Sequence, residues 1–169
     1  MMRTIRSFVC RNRAMTTKQA DFWNKGYQQY GISVDEVFGY SSVVLEIGFG
    51  NGDNLFTLAK NYPEYLFIGV EVYLDGFRKL FRKLEQEPLD NLKVIKADVV
   101  EVLQHLPDSS LIGSLILFPD PWPKKRNYKR RLINDNFIFL LARKLKTDGR
   151  LLIKTDCQNY AEQVERIFL

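Results

Sequence analysis

The sequence predicts an α/β protein with a mostly parallel sheet, and three observations support this class. Five short apolar runs between residues 43 and 153 have the length of buried strands. Segments with the i, i+3, i+4, i+7 spacing of amphipathic helices separate these runs. Acidic residues stand at or just beyond the ends of the runs, where parallel sheets bind ligands. Strands that alternate with helices imply right-handed crossovers and therefore parallel neighbours.

The chain begins with a predicted basic arm and a short helix, which together form a first region over residues 1–32. The arm shows no clear periodicity. Residues 16–30 place aromatic side chains at near-helical spacing, with Thr16 or Thr17 able to cap the helix and Gly31 ending it. We therefore expect a short amphipathic helix after the arm.

Residues 33–169 contain the alternation of strands and helices and form the second region. A loop with little pattern precedes the first strand. The predicted strands are residues 43–47, 66–70, 92–95, 111–118 and 151–153. The predicted helices are residues 53–62, 77–84, 99–105, a long helix from 137 to a stop at 148–149, and a last helix around 160–167.

The composition excludes several classes of protein. No apolar run approaches the ~20 residues that a membrane-spanning helix needs, so we expect no membrane association. The two cysteines, Cys10 and Cys157, are too few for a disulfide framework, which favours reduced thiols and a cytoplasmic location. The lone histidine, His105, cannot by itself build a histidine-based metal site or a catalytic triad, and we expect no metal.

The charge of the chain is concentrated in two basic blocks. The net charge is +5, and residues 1–30 carry six cations and one acid, while residues 122–131 carry six cations and no acid. The rest of the chain is therefore acidic. Two basic blocks on an acidic body predict a polyanionic partner, with nucleic acid the leading candidate. A solvated charged surface is the alternative.

A glycine-rich loop, residues 46–52 (EIGFGNG), follows the first predicted strand and opens a helix. Gly48 and Gly50 let the backbone turn tightly and approach a ligand. The G-x-G-x-G spacing differs from the G-x-G-x-x-G of dinucleotide binders, and Glu46 precedes it with no lysine nearby. S-adenosylmethionine, which carries a sulfonium and an ammonium, fits better than a phosphate ligand. NAD is the alternative.

Acids at the next two strand ends extend this predicted cofactor site. Glu71 lies about 20 residues beyond the glycine loop, where an acid can accept both ribose hydroxyls. Asp98 follows the third strand and is placed to take the adenine amino group. Each acid alone would be an ordinary surface residue. With Glu46 they form a series along successive strand ends, which favours a cofactor site.

The segment after the fourth strand carries the strongest candidate for chemistry. Asp120 stands between Pro119 and Pro121, which restrict its backbone. Trp122 offers a face for stacking a nucleobase, with a core tryptophan as the alternative. The cations that follow would hold phosphates in a salt-sensitive manner; they are Lys124, Lys125, Arg126, Lys129, Arg130 and Arg131.

Together these segments resemble the bacterial tRNA (guanine-N7-)-methyltransferases. The resemblance covers nearly the whole chain, and the Pro-Asp-Pro-Trp-Pro-Lys run is its most specific part. It implies a Rossmann-like class I methyltransferase fold with strand order 3-2-1-4-5 over residues 33–169. The matching segments are EIGFGNG (46–52), FIGVEV (67–72), FPDPWPKKRNYKRRL (118–132), KTDCQNYAE (154–162) and the arm RSFVCRNRAMTTKQ (6–19).

The resemblance implies an enzyme that transfers a methyl group from S-adenosylmethionine to N7 of the guanine at position 46, in the variable loop of tRNA. Asp120 would be the catalytic residue. A monomer or homodimer without an obligate partner subunit follows by analogy. The expected cofactor-binding residues are Glu46, Gly48, Gly50, Glu71, Asp98 and Asp120; the expected substrate-binding residues are Lys124 and Asp156, with Trp122, Arg126 and Arg130 beside them.

The chain also departs from the family pattern. It has Arg13-Ala14 where Gly-Arg is usual, and Asn127 where histidine is frequent; both positions lie in expected RNA-contact segments. Family members continue after the fifth strand through two more strands and a Thr-x-x-Glu segment, which residues 1–169 do not contain. We therefore expect a C-terminally truncated domain whose fifth strand is a bare sheet edge. A non-catalytic RNA-binding relic and a methyltransferase with another substrate are the alternatives.

Overall fold

The predicted alternation of strands and helices is present in a computed structural model that describes residues 6–9 and 14–169. The strands are β1 (Val43–Ile47), β2 (Leu66–Glu71), β3 (Leu92–Lys96), β4 (Leu111–Leu117) and β5 (Leu145–Lys154). The α-helices are α1 (Thr17–Tyr30), α2 (Asp53–Asn61), α3 (Leu74–Gln86), α4 (Val99–His105), α5 (Asp135–Lys144) and α6 (Gln158–Phe168). Short 3₁₀ helices cover Asp35–Gly39, in the predicted loop before β1, and Lys125–Arg130.

The five strands form one parallel sheet in the order β3-β2-β1-β4-β5, which confirms the predicted fold class and strand order. From β1 the chain builds outward to β3 on one side and then to β5 on the other. Ile47 lies opposite both Val70 and Ile116. The carboxyl ends of the central strands therefore meet at one edge, where the strand order switches and such sheets bind ligands.

Helices cover both faces of the sheet, which explains why the strands are apolar on both sides. Phe77 and Phe81 of α3 belong to one buried cluster, against which Trp23 of α1 packs. Leu103 of α4 and Tyr160 of α6 belong to a second cluster. β2 is buried along its whole length, as expected for a strand enclosed by both layers.

The predicted helix after the arm is confirmed as α1. Thr16 caps it and forms a capping box with Gln19: the Gln19 N–H donates to Thr16 Oγ1 at 3.4 Å, and the Thr16 N–H donates to Gln19 Oε1 at 3.1 Å. Trp23 stacks on Phe81 with ring centroids 5.9 Å apart. α1 therefore shares its core with the sheet.

The predicted boundary between the fifth helix and the fifth strand is wrong. The sequence pattern extended the helix to residue 148, but α5 ends at Lys144. The buried Lys144 amine donates to the Leu106 carbonyl at 2.8 Å, which fixes the last turn. Leu145 is already extended and pairs with Leu111, and residues 146–149 lie in an irregularity of β5.

Within residues 6–9 and 14–169, no helix is both long enough and apolar enough to cross a membrane.

Candidate functional site

The loop between β1 and α2 is shaped by glycines. Gly48 has a φ of 71° and Gly50 a φ of 54°, values that residues with a side chain rarely adopt. The Gly48 N–H donates to the Val70 carbonyl at 2.8 Å, which holds the loop at the end of β2. Helix α3 packs closely against this loop. A Cβ added to Gly76 of α3 would lie 2.1 Å from the Gly50 carbonyl oxygen. The loop is therefore fixed in a conformation that only glycine permits.

Glu71, at the end of β2, is buried and ties the strand to the glycine loop. Its Oε2 accepts from the Gly50 N–H at 3.0 Å. Its Oε1 accepts from the N–H groups of Val72, at 2.7 Å, and Tyr73, at 3.1 Å. A carboxylate offers about four lone-pair positions. These backbone bonds thus orient Glu71 while leaving it capacity to accept from a ligand hydroxyl.

Asp98 joins β3 to α4 and caps the helix. Its Oδ1 accepts from the Val100 N–H at 3.0 Å, which satisfies one of the free N–H groups at the helix start. The residue is half-buried. Capping α4 is therefore a structural role of Asp98, in addition to the predicted contact with adenine. The cap uses one of the two carboxylate oxygens.

Glu46 lies in β1, behind the glycine loop, and only 3% of its surface is exposed. Its Oε2 accepts from the side-chain amide of Asn54 on α2 at 3.2 Å. Burial raises the pKa of Glu46 to about 7, an effect that the Asn54 hydrogen bond only partly offsets. A carboxyl group with this pKa takes up or releases a proton near neutral pH.

Asp120 lies on a segment whose backbone is strained at both ends. Phe118 has a φ of 51° and Trp122 a φ of 44°. A left-handed backbone at such residues costs on the order of 1–3 kcal/mol each, and strain of this kind concentrates at functional sites. Pro119 and Pro121 fix the backbone between them. The exposed Asp120 is thus held in one place beyond the end of β4.

A cavity of about 290 Å³ at the ligand edge of the sheet brings these residues together. Three carboxylates and apolar side chains form its wall, which suits a ligand with positive charge and hydroxyl donors. S-adenosylmethionine has this character, and the volume is near the lower end of the about 300–1,000 Å³ of ligand pockets. The predicted residues that line it are Gly48, Gly50, Glu71, Asp98 and Asp120; apolar wall residues include Ile47, Val70, Val99 and Leu117.

Residues 6–9 of the arm lie at this cavity, which the sequence did not predict. Ser7 and Phe8 form part of its wall. The Trp122 indole N–H donates to the Ser7 carbonyl at 2.9 Å, and the Tyr73 hydroxyl donates to the Val9 carbonyl at 3.2 Å. Residues 6–9 therefore connect the loop after β4 to the loop after β2. Both contacts are made to backbone carbonyls, so the amino-acid sequence gives no signal of them.

The basic segment, residues 122–131, follows Asp120 and contains the 3₁₀ helix Lys125–Arg130. Arg130 lies over the ring of Trp122, with its Cζ 5.1 Å from the ring centroid. Arg130 also lines a second, polar cavity together with Arg6 of the arm. Four cations of the segment are exposed, and their contact with phosphates stays a prediction; they are Lys124, Lys125, Arg126 and Lys129.

Two residues of the basic segment are placed differently from what the sequence suggested. Trp122 is half-buried, with its N–H bonded to Ser7 and a face under Arg130. Base stacking by Trp122 stays a prediction. Arg131 is 2% exposed, and its Nε donates to the Pro121 carbonyl at 2.8 Å. The phosphate-binding role expected for Arg131 is wrong for this structure, because its guanidinium lies inside the protein.

The remaining predicted substrate residues lie outside the cavity wall. Asp156 is exposed in the turn between β5 and α6. Leu117 of β4 lies opposite Lys154 of β5, so Asp156 and Asp120 leave the sheet from neighbouring strand ends. Lys124 and Arg126 lie in the exposed part of the basic segment. The arm residues Arg3, Cys10, Arg11 and Arg13 are outside the described residues.

Comparison with known proteins gives matches in both sequence and fold. A family model described as "Putative methyltransferase" matches residues 40–168. The chain is 44% identical over 174 residues to a tRNA (guanine-N(7)-)-methyltransferase of Nitrosococcus oceani, covering 98% of this chain and 74% of the relative. It is also 44% identical over 172 residues to the enzyme of the same name from Shewanella amazonensis, covering 96% and 72%.

Solved structures share the fold. The precorrin-6y C5,15-methyltransferase of Geobacter metallireducens superposes with a TM-score of 0.60 at 15% identity, covering 88% of this chain and 67% of that one. An antibiotic-related methyltransferase superposes with a TM-score of 0.57 at 21% identity, covering 84% and 77%. At these identities the likeness concerns the fold alone, and that fold is the Rossmann-like sheet described above.

Proposed function

The chain belongs to the tRNA (guanine-N(7)-)-methyltransferase family, and from this premise we propose that it transfers a methyl group from S-adenosylmethionine to N7 of guanine 46 in the variable loop of tRNA. One observation carries the proposal: the carboxylates of Glu71, Asp98 and Asp120 line a single cavity beside an exposed basic segment. The acidic side suits a cationic methyl donor, and the basic side suits RNA. Asp120 stands where the two meet.

On the cofactor side, each residue has a role that follows from its position. S-adenosylmethionine supplies an activated methyl group on a positively charged sulfur. Glu71 would accept hydrogen bonds from the ribose hydroxyls, and Asp98 from the adenine amino group. Gly48 and Gly50 allow the backbone to approach the ligand closely. Glu46, behind the loop, would add negative charge when it is ionised.

The chemistry demands little acid–base catalysis from the protein. N7 of guanine carries an in-plane lone pair, so no proton has to leave before it attacks the methyl carbon in line. The protein must orient the two reactants and exclude water. Positive charge develops on the guanine ring as the bond forms. The Asp120 carboxylate would stabilise this charge, or accept from the guanine N1–H and amino group and so select the base.

The substrate side is the exposed basic segment with Asp156. Lys124, Arg126 and Arg130 would contact phosphates, which positions the RNA without reading its sequence. The target guanine must leave its stacking partners to reach Asp120. We expect these events to take place in the cytoplasm, in a monomer or homodimer that needs no partner subunit.

The test is product analysis. Undermethylated tRNA is incubated with the protein and methyl-labelled S-adenosylmethionine, then digested to nucleosides. We expect the label in 7-methylguanosine. Label in any other nucleoside would contradict the guanine-N7 assignment. Salt-dependent tRNA binding with neither label nor cofactor binding by calorimetry would instead support an RNA-binding protein without catalysis, and methylation indifferent to added RNA would support another substrate.

A further inference from the structure

Arg131 ends the basic segment, but its guanidinium is enclosed by protein. It donates from Nε to the Pro121 carbonyl at 2.8 Å. Its terminal nitrogens donate to Gln163 Oε1 at 2.7 Å and to Asn159 Oδ1 at 3.0 Å. Asn159 and Gln163 stand one turn apart on α6. A single side chain therefore joins the residue after Asp120 to α6.

The three acceptors that the Arg131 side chain reaches are neutral carbonyl and amide oxygens. Among residues 6–9 and 14–169, no carboxylate forms an ion pair with it. Its Cζ lies 3.7 Å from the ring centroid of Tyr128 and 4.7 Å from that of Tyr160. Burying a guanidinium without a counter-charge is unfavourable. The planar guanidinium of Arg131 presents N–H donors in several fixed directions and so reaches three acceptors at once.

The backbone that Arg131 holds is the strained one. Phe118 and Trp122, both left-handed, bracket the Pro121 carbonyl that accepts from Arg131. Strained backbone persists only where its surroundings hold it in place. The other end of the link is itself fixed, because the Ile133 N–H donates to the Tyr160 hydroxyl at 3.0 Å. Arg131 thus connects a strained loop to a well-packed helix.

We propose that Arg131 is a positioning residue for methyl transfer: it fixes the Asp120 carboxylate by holding the Pro121 carbonyl against α6, and it does not bind phosphate. This inference rests on the proposed function. α6 begins two residues beyond Asp156. The same side chain therefore also sets the spacing between the loops that follow β4 and β5.

The first experiment compares Arg131→Lys and Arg131→Gln with the parent, with Arg143→Lys as the control. Arg143 is an exposed arginine on α5, paired with Asp108 outside the site. At saturating tRNA and cofactor, and well below the unfolding midpoint, we expect the single-turnover rate of both Arg131 variants to fall about 10²-fold, the loss that follows a displacement of about 1 Å. The control should keep the parental rate. A parental rate in folded Arg131→Lys would overturn the proposal.

The second experiment separates positioning from phosphate binding. The affinity for tRNA is measured against salt concentration for Arg131→Gln and for Arg126→Gln, which removes an exposed cation of the same segment. We expect Arg126→Gln to reduce the slope of log K against log salt by about 1, and Arg131→Gln to leave the slope unchanged. A reduced slope in Arg131→Gln would make it a phosphate contact and overturn the proposal.

Two further measurements extend the test: the first needs folded Arg131→Lys but no activity, and the second needs no Arg131 variant. Trypsin should cut after Lys124, Lys125 and Arg126 faster in Arg131→Lys than in Arg143→Lys, because the segment is released; equal cleavage would contradict the anchoring role. If the Arg131 variants do not fold, Asn159→Ala removes one acceptor from an exposed helix position. It should lower the single-turnover rate about tenfold, and a parental rate would overturn the proposal.

A parent protein that makes no 7-methylguanosine would contradict the proposed function. An active parent protein with unimpaired variants would contradict only this inference.

Discussion

Asp120 is exposed on a backbone that prolines hold, so its side chain can be changed with little effect on folding. Asp120→Asn keeps the size of the side chain and removes its charge. We expect the single-turnover rate of guanine methylation to fall by about 10²-fold or more, the scale seen when a group that stabilises developing charge is lost. Rapid-quench assays with labelled cofactor measure this rate. Asp148→Asn, exposed at the start of β5, is the control, and equal rates in the two variants would contradict the role of Asp120.

Glu46 couples protein stability to pH. Burial raises its pKa from the ordinary 4.5 to about 7, so the folded protein favours the protonated form. The contribution of Glu46 to the free energy of unfolding should be highest below a pH of about 4.5, fall as the pH rises toward 7, and stay lower above it. From the size of this pKa change, the loss is roughly 3 kcal/mol.

The substitution Glu46→Gln should remove this loss. We expect the variant to be more stable than the parent at pH 8, and to differ much less from it near pH 4.5, where both side chains are neutral. Urea unfolding at the two pH values measures the difference. Glu64→Gln, at an exposed position, is the control. A Glu46→Gln effect that is the same at both pH values would refute the explanation.

Of the four predicted acids, Glu71, Asp98 and Asp120 are among the residues of the cavity wall and Glu46 is not. Residue types alone also did not predict the orientation of each cation. Six cations in one segment predicted an outward-facing surface, yet Arg131, directly after the 3₁₀ helix, is buried. Its burial depends on Tyr160 and Gln163, which lie about 30 residues further along the chain. One sequence contains no signal for such a long-range pairing.

Helix α3 and the glycine loop must approach closely for the cofactor site to form. The substitution Gly76→Ala would place a Cβ 2.1 Å from the Gly50 carbonyl oxygen. We expect it to displace the loop and to lower both cofactor affinity and the unfolding midpoint, since overpacking typically costs about 1–3 kcal/mol. Calorimetry and thermal unfolding measure the two effects.

Gly39→Ala is the matched control for this substitution. A Cβ at Gly39 would meet no heavy atom within 4 Å, so its effect should stay within about 0.5 kcal/mol. Alanine is a better helix former than glycine. A stabilised Gly76→Ala variant with full cofactor affinity would therefore show that the close approach is not required.

The observed bounds of β1 and α4 equal the predicted ranges, 43–47 and 99–105. The start of β5 was missed because Leu145 fits both a helix face and a strand. Two tertiary contacts decide between them: the buried Lys144 amine on Leu106 and the pairing of Leu145 with Leu111. Neither contact can be inferred from local periodicity.

For the molecule as a whole, alternation of elements was enough to predict the parallel sheet, and the resemblance supplied the strand order. The position of the arm was not predicted, because residues 6–9 are held by hydrogen bonds to their backbone carbonyls. Such bonds do not depend on which side chain is present. The edge of the sheet that binds ligands was therefore predictable, and the segment lying across it was not.

The charge distribution makes a prediction about the whole protein. Lys124, Lys125, Arg126 and Lys129 are exposed together beside the cavity. We expect log K for tRNA binding to fall with log salt with a slope of about −3 or steeper, since each phosphate contact contributes about −0.7 to −0.9. Filter binding or fluorescence anisotropy between about 50 and 200 mM salt measures this slope. Binding that is insensitive to salt would contradict the assignment of this surface.

The left-handed backbone at Phe118 has a consequence for attempts to improve the protein. Phe118 is 62% exposed, so Phe118→Gly would sacrifice little packing and relieve backbone strain. A search for heat-resistant variants should therefore favour glycine at this position. A search for faster methylation should reject glycine, because the more flexible backbone would no longer hold the Asp120 carboxylate in one position. Selection for thermal stability would therefore favour glycine at position 118, and selection for methylation rate would favour the parental phenylalanine.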